Sequence, residues 1–217
     1  FTPILNVPKD TYILYINYFG LCGEICEKLA GIYPNLIIDN TQSFYAKPTG
    51  LASFNSLRKF FRVQNGAYLY INKKLNTKFE TDDIKIKPVL IHENYNKFVQ
   101  NELILNNENI KYISSIVNAQ MEKIDFNTDK KQRITLFNKY TEIFHEYNQI
   151  KLNFTKETIP YCYPLKTENK IIKEKLSKFI LLQLWEKNNI IALPLNDFEY
   201  AKIIMHSFSC EGTIKAE

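Results

Sequence analysis

Asp39, Gln42, Ser53, Ser56 and Lys59 fall within one short stretch of the chain. The apolar run Leu36-Ile37-Ile38 leads into Asp39, and Gln42 follows three residues later. A carboxylate at a strand end can hold a ring nitrogen protonated by direct charge pairing. A lysine whose pKa is lowered can attack an aldehyde. The Ser56-x-x-Lys59 spacing adds a hydroxyl for a phosphate, close to that amine. Such a set fits a phosphorylated pyridine aldehyde, whose protonated ring acts as an electron sink. Arg58 and a buried pocket would both lower the lysine pKa. Taken singly, Asp39 reads as the start of the Asn40-Thr41 turn and Lys59 as one surface lysine among many. The combination is what proposes a reaction.

The elements that must position these groups are legible from hydrophobic patterning. Tyr12 to Ile16 reads as a buried strand, Glu24 to Tyr33 as a short helix, and Leu36 to Ile38 as a second buried strand. A strand–helix–strand unit predicts parallel pairing. Ligands of open α/β sheets sit beyond the carboxyl ends of the strands, where Asn17 and Asp39 both fall. Leu51 to Phe54 and Ala67 to Ile71 are expected as further strands, the last entered through Asn65-Gly66. Asn107 is expected to cap a helix carrying Ile110, Ile113, Val117, Met121 and Ile124. Thr128 is expected to cap another, with Ile134, Phe137, Phe144 and Tyr147 on its apolar stripe. After Pro160 a strand (161–165), a helix (169–185), a strand (190–195) and a helix (197–208) are predicted. Trp185 is expected to end that first helix and pack between lobes.

Asn17-x-x-Gly20, Asp39-x-x-Gln42 and Ser56-x-x-Lys59, in this order and on these element ends, resemble the aspartate-aminotransferase fold, fold type I of the pyridoxal-phosphate enzymes. Ile16 to Gly20, Ile38 to Phe44 and Ser56 to Phe60, with Asn65 to Tyr68, are most similar to the DegT-type sugar aminotransferase superfamily. Ile159 to Leu165 and Leu193-Pro194-Leu195 resemble two strands of that superfamily's small domain. The resemblance implies an α/β fold: a partial large-domain sheet, mainly parallel, binding pyridoxal 5'-phosphate over 1–150, and a small α/β domain over 151–217. It implies Lys59 as the lysine bonded to the cofactor aldehyde and Asp39 as the partner of the pyridine nitrogen. Gln42 would lie near the ring's phenolic oxygen, with Asn17 sharing that contact. Ser56 would bind the phosphate, with Ser53 as the alternative, because the superfamily's usual serine position is Phe54 here.

The implied activity moves an amino group from an amino acid, glutamate being the expected donor, to a keto-sugar nucleotide for surface polysaccharide. It implies a homodimer in the whole protein. Superfamily members carry an earlier segment with a small-residue phosphate loop, a ring-stacking residue and dimer contacts. The chain opens at Phe1-Thr2-Pro3, and the expectation is a piece that begins in mid-fold and exposes sheet edges and apolar faces.

Composition bounds the alternatives. With 217 residues and 45% hydrophobic content, one globular unit or a large and a small lobe is expected. The net charge of +5 is spread among acids and amides rather than clustered, which argues against a nucleic-acid partner. No apolar run is long enough for a membrane span, and no secretory signal is evident, so a reducing cytoplasm is expected. Cys22, Cys26, His206 and Cys210 lack dependable zinc spacing and read as free thiols and a separate histidine. His92 and His145 belong to no ligand pattern, while Arg62 and Arg133 are candidates for a substrate carboxylate or phosphate. Two rival readings stand: a non-catalytic relative acting as an interaction subunit, and an unrelated α/β nucleotide-binding module with Asp39 on a ribose hydroxyl.

Overall fold

The computed structural model describes residues 6–8, 10–83, 95–152, 155, 157–179 and 182–209. The chain starts with β1 (Ile13–Ile16), whose β-branched and aromatic residues suit a half-buried strand. Helix α1 (Gly23–Ile32) returns over the sheet, and β2 (Leu36–Asn40) pairs with β1 in parallel. Next comes β3 (Ala52–Asn55), parallel to β2. Gly50 leads into it with φ +78, and a Cβ there would stand 2.6 Å from the Leu36 carbonyl oxygen. Only glycine allows this close approach. The single-turn helix α2 (Leu57–Phe60) follows, and β4 (Leu69–Ile71) closes the sheet antiparallel to β3. The sheet order is β1-β2-β3-β4.

One face of this sheet lies under α1. Tyr15, Leu36 and Ile38 pack there against Cys22, Cys26 and Leu29. Leu36 and Ile38 are wholly buried, and each contributes about 1.5–3 kcal/mol of apolar burial. The opposite face stays partly open, with Leu14 and Leu69 exposed.

Helices α3 (Tyr95–Asn107), α4 (Ser115–Met121) and α5 (Phe126–Phe144) fill the middle of the chain. Two expected caps are corrected. Asn107 ends α3 rather than starting a helix, and Ser114 caps α4 by accepting from the Val117 amide at 3.1 Å. Between them the Tyr112 amide and carbonyl bond to Glu80 and Asp82, so the backbone is extended there and Ile110 is exposed. Asp125, not Thr128, caps α5: its carboxylate accepts from the Asn127 and Thr128 amides. An acid there also favours the positive end of the helix dipole.

The second sheet has the order β5-β7-β6, all antiparallel: β5 (Cys162–Leu165), β6 (Gln183–Trp185) and β7 (Ile190–Pro194). Helices α6 (Lys170–Ser177) and α7 (Phe198–Ser209) accompany it. The predicted helix over 169–185 is therefore too long. Asn169 does cap it, but residues 183–185 form a hairpin strand with β7 instead. Asn189 makes the turn possible by adopting φ 53, a left-handed conformation that Asn tolerates. The core of this region joins Leu136, Phe137, Tyr140 and Phe144 of α5 to Tyr163, Leu165, Leu193 and Ile204.

The two sheets meet at Phe19. Its ring packs edge-on to Trp185 with centroids 5.1 Å apart, and its carbonyl accepts from the Tyr161 amide at 2.8 Å. Trp185 therefore bridges both regions from a strand rather than from a helix end. Among the described residues, no helix is long and apolar enough to cross a membrane.

Candidate functional site at the carboxyl ends of the first sheet

Asp39 is the fourth residue of β2, opposite Ile16 of β1 and Phe54 of β3. Strand alternation turns it away from α1, because Ile38 and Asn40 occupy that side. The Asp39 Oδ1 accepts from the Thr41 amide at 2.8 Å, so this carboxylate does start the local turn. Thr41 then meets Lys59: the Lys59 Nζ donates to Thr41 Oγ1 at 3.1 Å. Acid, hydroxyl and amine thus form one connected set on the Asp39 side of the sheet.

Lys59 sits on α2, whose Leu57 and Phe60 are buried in an aromatic core with Phe61, Phe44 and Phe126. That anchoring aims the intervening lysine back over the strand ends. The lysine is half-buried, and its only described hydrogen bond is the one to Thr41, with no ion pair. Burial pushes its pKa down, the Asp39 charge opposes that shift, and the Arg58 charge adds to it. Arg58 itself is paired with the Glu102 carboxylate at 2.7 and 3.2 Å. A half-buried lysine without a salt bridge is a costly arrangement and a marker of reactivity.

The other predicted residues divide. Asn17 is buried on the α1 side, where its Nδ2 donates to Asn40 Oδ1 and its Oδ1 accepts from the Cys22 amide, both at 2.9 Å. Gln42 is buried too, and its Oε1 accepts from the Phe19 amide at 2.8 Å. That bond holds Phe19 at φ 57, an unusual conformation for a bulky residue. Gly20 follows with φ +72, where a Cβ would come within 3.0 Å of the Gln42 carbonyl. Ser53 is 1% exposed, aligned with Ile38 on the closed side, and its hydroxyl has no partner. Ser56 precedes α2 with a side chain that makes no capping bond, and it is only half-buried. The structure thus joins Asp39 and Lys59, keeps Ser56 accessible beside them in sequence, and turns Asn17 and Ser53 to the opposite face.

Sequence reading missed the role of Thr41 and the amides Asn40 and Asn55 that continue the row begun by Asn17. Asn17, Asn40 and Asn55 each stand at the end of one strand on the closed side. Asn55 Oδ1 accepts from the Tyr68 amide at 2.9 Å. The signal was present as an asparagine closing three successive strands. Arg133 is corrected as a substrate ligand. It is fully buried, bonded to Asp129 at 2.8 Å and to the Phe60 carbonyl at 3.0 Å, and stacked on the Phe60 ring. It braces α2 from behind instead. Arg62 is exposed near Asp197.

Cys22, Cys26 and Cys162 are buried free thiols, with burial pushing Cys26 up to about 12. No three metal-ligating side chains cluster among the described residues. His145 is exposed at the end of α5, and His206 lies on α7. His92 and Cys210 lie outside the described residues. Two open clefts, of about 700 and 470 Å³, are lined around Lys166 and Lys187 and around Phe79 and Lys111, not by Lys59.

Pyridoxal phosphate can be tested against these groups. An amine with lowered pKa and a carboxylate, on the same side of the strand ends, fit its aldehyde and its ring nitrogen. The Ser56 hydroxyl makes no capping bond, which suits it to the phosphate. Asn17 and Gln42 already spend their oxygens on backbone amides.

No protein-family model matches the chain, and no curated protein matches it. Among solved structures it is similar to a candidate sugar aminotransferase from Streptococcus pneumoniae in its PMP form. The TM-score is 0.51 at 13% identity, over 93% of this chain and 68% of that one. At this identity the likeness concerns the fold alone. The chain has a mixed α/β fold similar to that of this structure, with a sheet that contains parallel strands.

Proposed function

We propose that this chain carries the lysine and acid of a pyridoxal-phosphate-dependent aminotransferase of the DegT type. The observation that carries the proposal is Lys59: half-buried, without an ion pair among the described residues, and joined through Thr41 to the strand-end carboxylate of Asp39. The aminotransferase-like fold supports it.

Lys59 would meet the cofactor aldehyde, Asp39 the pyridine nitrogen and Ser56 the phosphate. When bound, the cofactor supplies the electron sink. Asp39 would face the ring nitrogen, where a carboxylate favours the charged form of that nitrogen by direct pairing. Lys59, unprotonated more often than an exposed lysine, takes up and returns a proton at its Nζ. Gln42 acts by holding Phe19 through its oxygen, and Asn17 by holding Asn40 and the Cys22 amide. The transfer itself would run from an amino-acid donor to a keto-sugar nucleotide for surface polysaccharide, in a cytoplasmic homodimer with the division at residue 150.

Incubation with pyridoxal phosphate followed by borohydride should fix the reduced label on the peptide holding Lys59, and Lys59→Ala should abolish it. Label on another lysine would sink the assignment.

A second reading is a non-catalytic relative that serves as an interaction subunit. Ser53 pointing under α1, and the engaged oxygens of Asn17 and Gln42, favour it. Protein that stays colourless with added pyridoxal phosphate, yet still self-associates in light scattering, would decide for this reading.

A further inference from the structure

Thr41 has a position that neither the acid nor the amine explains. Its amide donates to Asp39 Oδ1 at 2.8 Å and its hydroxyl accepts from Lys59 Nζ at 3.1 Å. Opposite charges near each other in a half-buried site attract strongly, yet no ion pair joins Lys59 to Asp39. The charged groups acting on the lysine are Asp39 on β2 and Arg58 beside it on α2, and Arg58 is itself tied to Glu102 of α3.

We propose that Thr41 is a positioning residue that holds the Lys59 amine apart from the Asp39 carboxylate. One residue grips both groups, the acid by its backbone and the amine by its side chain, and so sets their separation. A neutral acceptor satisfies the amine without the full stabilisation that a carboxylate would lend its charged form. The uncharged amine is thereby favoured over what a direct carboxylate pair would leave, and the carboxylate keeps an oxygen for another partner. This deepens the proposed function, on which it rests for its purpose, but the contact can be tested without cofactor.

The test is the pH dependence of Lys59 acylation in the full chain, read by quantitative peptide mass spectrometry. Thr41→Val keeps the shape and removes the hydroxyl. The released amine should then pair with Asp39, raising the acylation midpoint by about one pH unit, which slows reaction near neutrality about tenfold. Thr41→Ser should keep the original midpoint. In the double variant Thr41→Val with Asp39→Asn, the upward shift should vanish, because its partner is gone. Thr41→Ala serves as a second hydroxyl-free variant if the valine protein unfolds by circular dichroism. An unchanged midpoint in the folded hydroxyl-free variant, or an equal shift in Thr41→Ser, would overturn the proposal. If these shifts appear but borohydride labels no variant at Lys59, the enzymatic reading fails and the spacer role stands. If wild type is labelled but the shifts do not appear, the reverse holds.

Discussion

On one side of β2, Leu36, Ile38 and Asn40 lie buried under α1 with Tyr15 and Asn17; on the other, Ile37 and Asp39 face a partly open surface with Lys59 nearby. Several polar groups of the first side answer one another, while Ser53 Oγ and Asn55 Nδ2 are left without a partner. Asn17 bonds to Asn40, and Asn55 bonds to the Tyr68 backbone. The groups of the second side leave capacity unused: Lys59 has a neutral acceptor and no counter-ion among the described residues. Two faces of one strand, a residue apart, thus divide structural from chemical duty. Burial explains the division. A closed face pairs most of its donors and acceptors and leaves few exceptions such as Ser53, while an open face can hold reactive groups whose remaining needs a ligand or water meets.

This contrast can be broken by substitution on either side. The largest effect is expected on the closed side. Asn40→Ala strips the Asn17 Nδ2 of its acceptor and should cost about 1–3 kcal/mol in urea unfolding. The Lys59 acylation midpoint should stay where it is; a comparable shift there would mean that the two faces are coupled.

Asp39→Asn should do the opposite. Its side-chain oxygen can still accept from the Thr41 amide, so the turn survives. The Asp39 charge that raises the Lys59 pKa is lost, and the acylation midpoint should move down. The sign for stability follows from proton linkage. Folding lowers the pKa of Lys59, so the folded state binds fewer protons between that lowered value and the ordinary 10.5. Stability attributable to this lysine therefore rises with pH through that interval, and its cost is full below it. Urea titrations of wild type against Lys59→Met should converge as pH climbs toward 10.5, and more steeply so in the Asp39→Asn background.

The smallest effect concerns Ser53. Its buried hydroxyl has no partner, so Ser53→Ala should stabilise the fold by about 1 kcal/mol. Cofactor labelling of Lys59 should not change. Loss of labelling would return Ser53 to the phosphate site and erase the separation of the faces.

Much of the scaffold was legible because the strands carry local signals. Tyr12 to Ile16 and Leu36 to Ile38 are apolar and β-rich, and a helical pattern between them implied parallel pairing, which β1 and β2 show. The helix over 169–185 was overextended because Leu182 and Leu184 suit either period, and only the β7 edge selected the strand. The caps at Asn107 and Thr128 were misplaced because neighbouring residues, Ser114 and Asp125, competed with equal propensity. The backbone bonds of Tyr112 decided the first case, and the Asp125 carboxylate the second.

For the site, residue type and order along the chain singled out Asp39 and Lys59, because an acid closing an apolar strand and a lysine beside a small turn are visible one-dimensional patterns. Which face each side chain serves was not visible. Alternation sends Ser53 and Asn17 beneath α1 and Asp39 to the open side, and a shift of one residue would exchange them. The bond from Lys59 to Thr41 spans 18 positions and depends on α2 being braced by Phe60 and Arg133. Sequence by itself determined the kinds of groups present and their strands; packing alone decided their side and spacing, since contacts between distant residues arise only when buried surfaces lock the backbone in register.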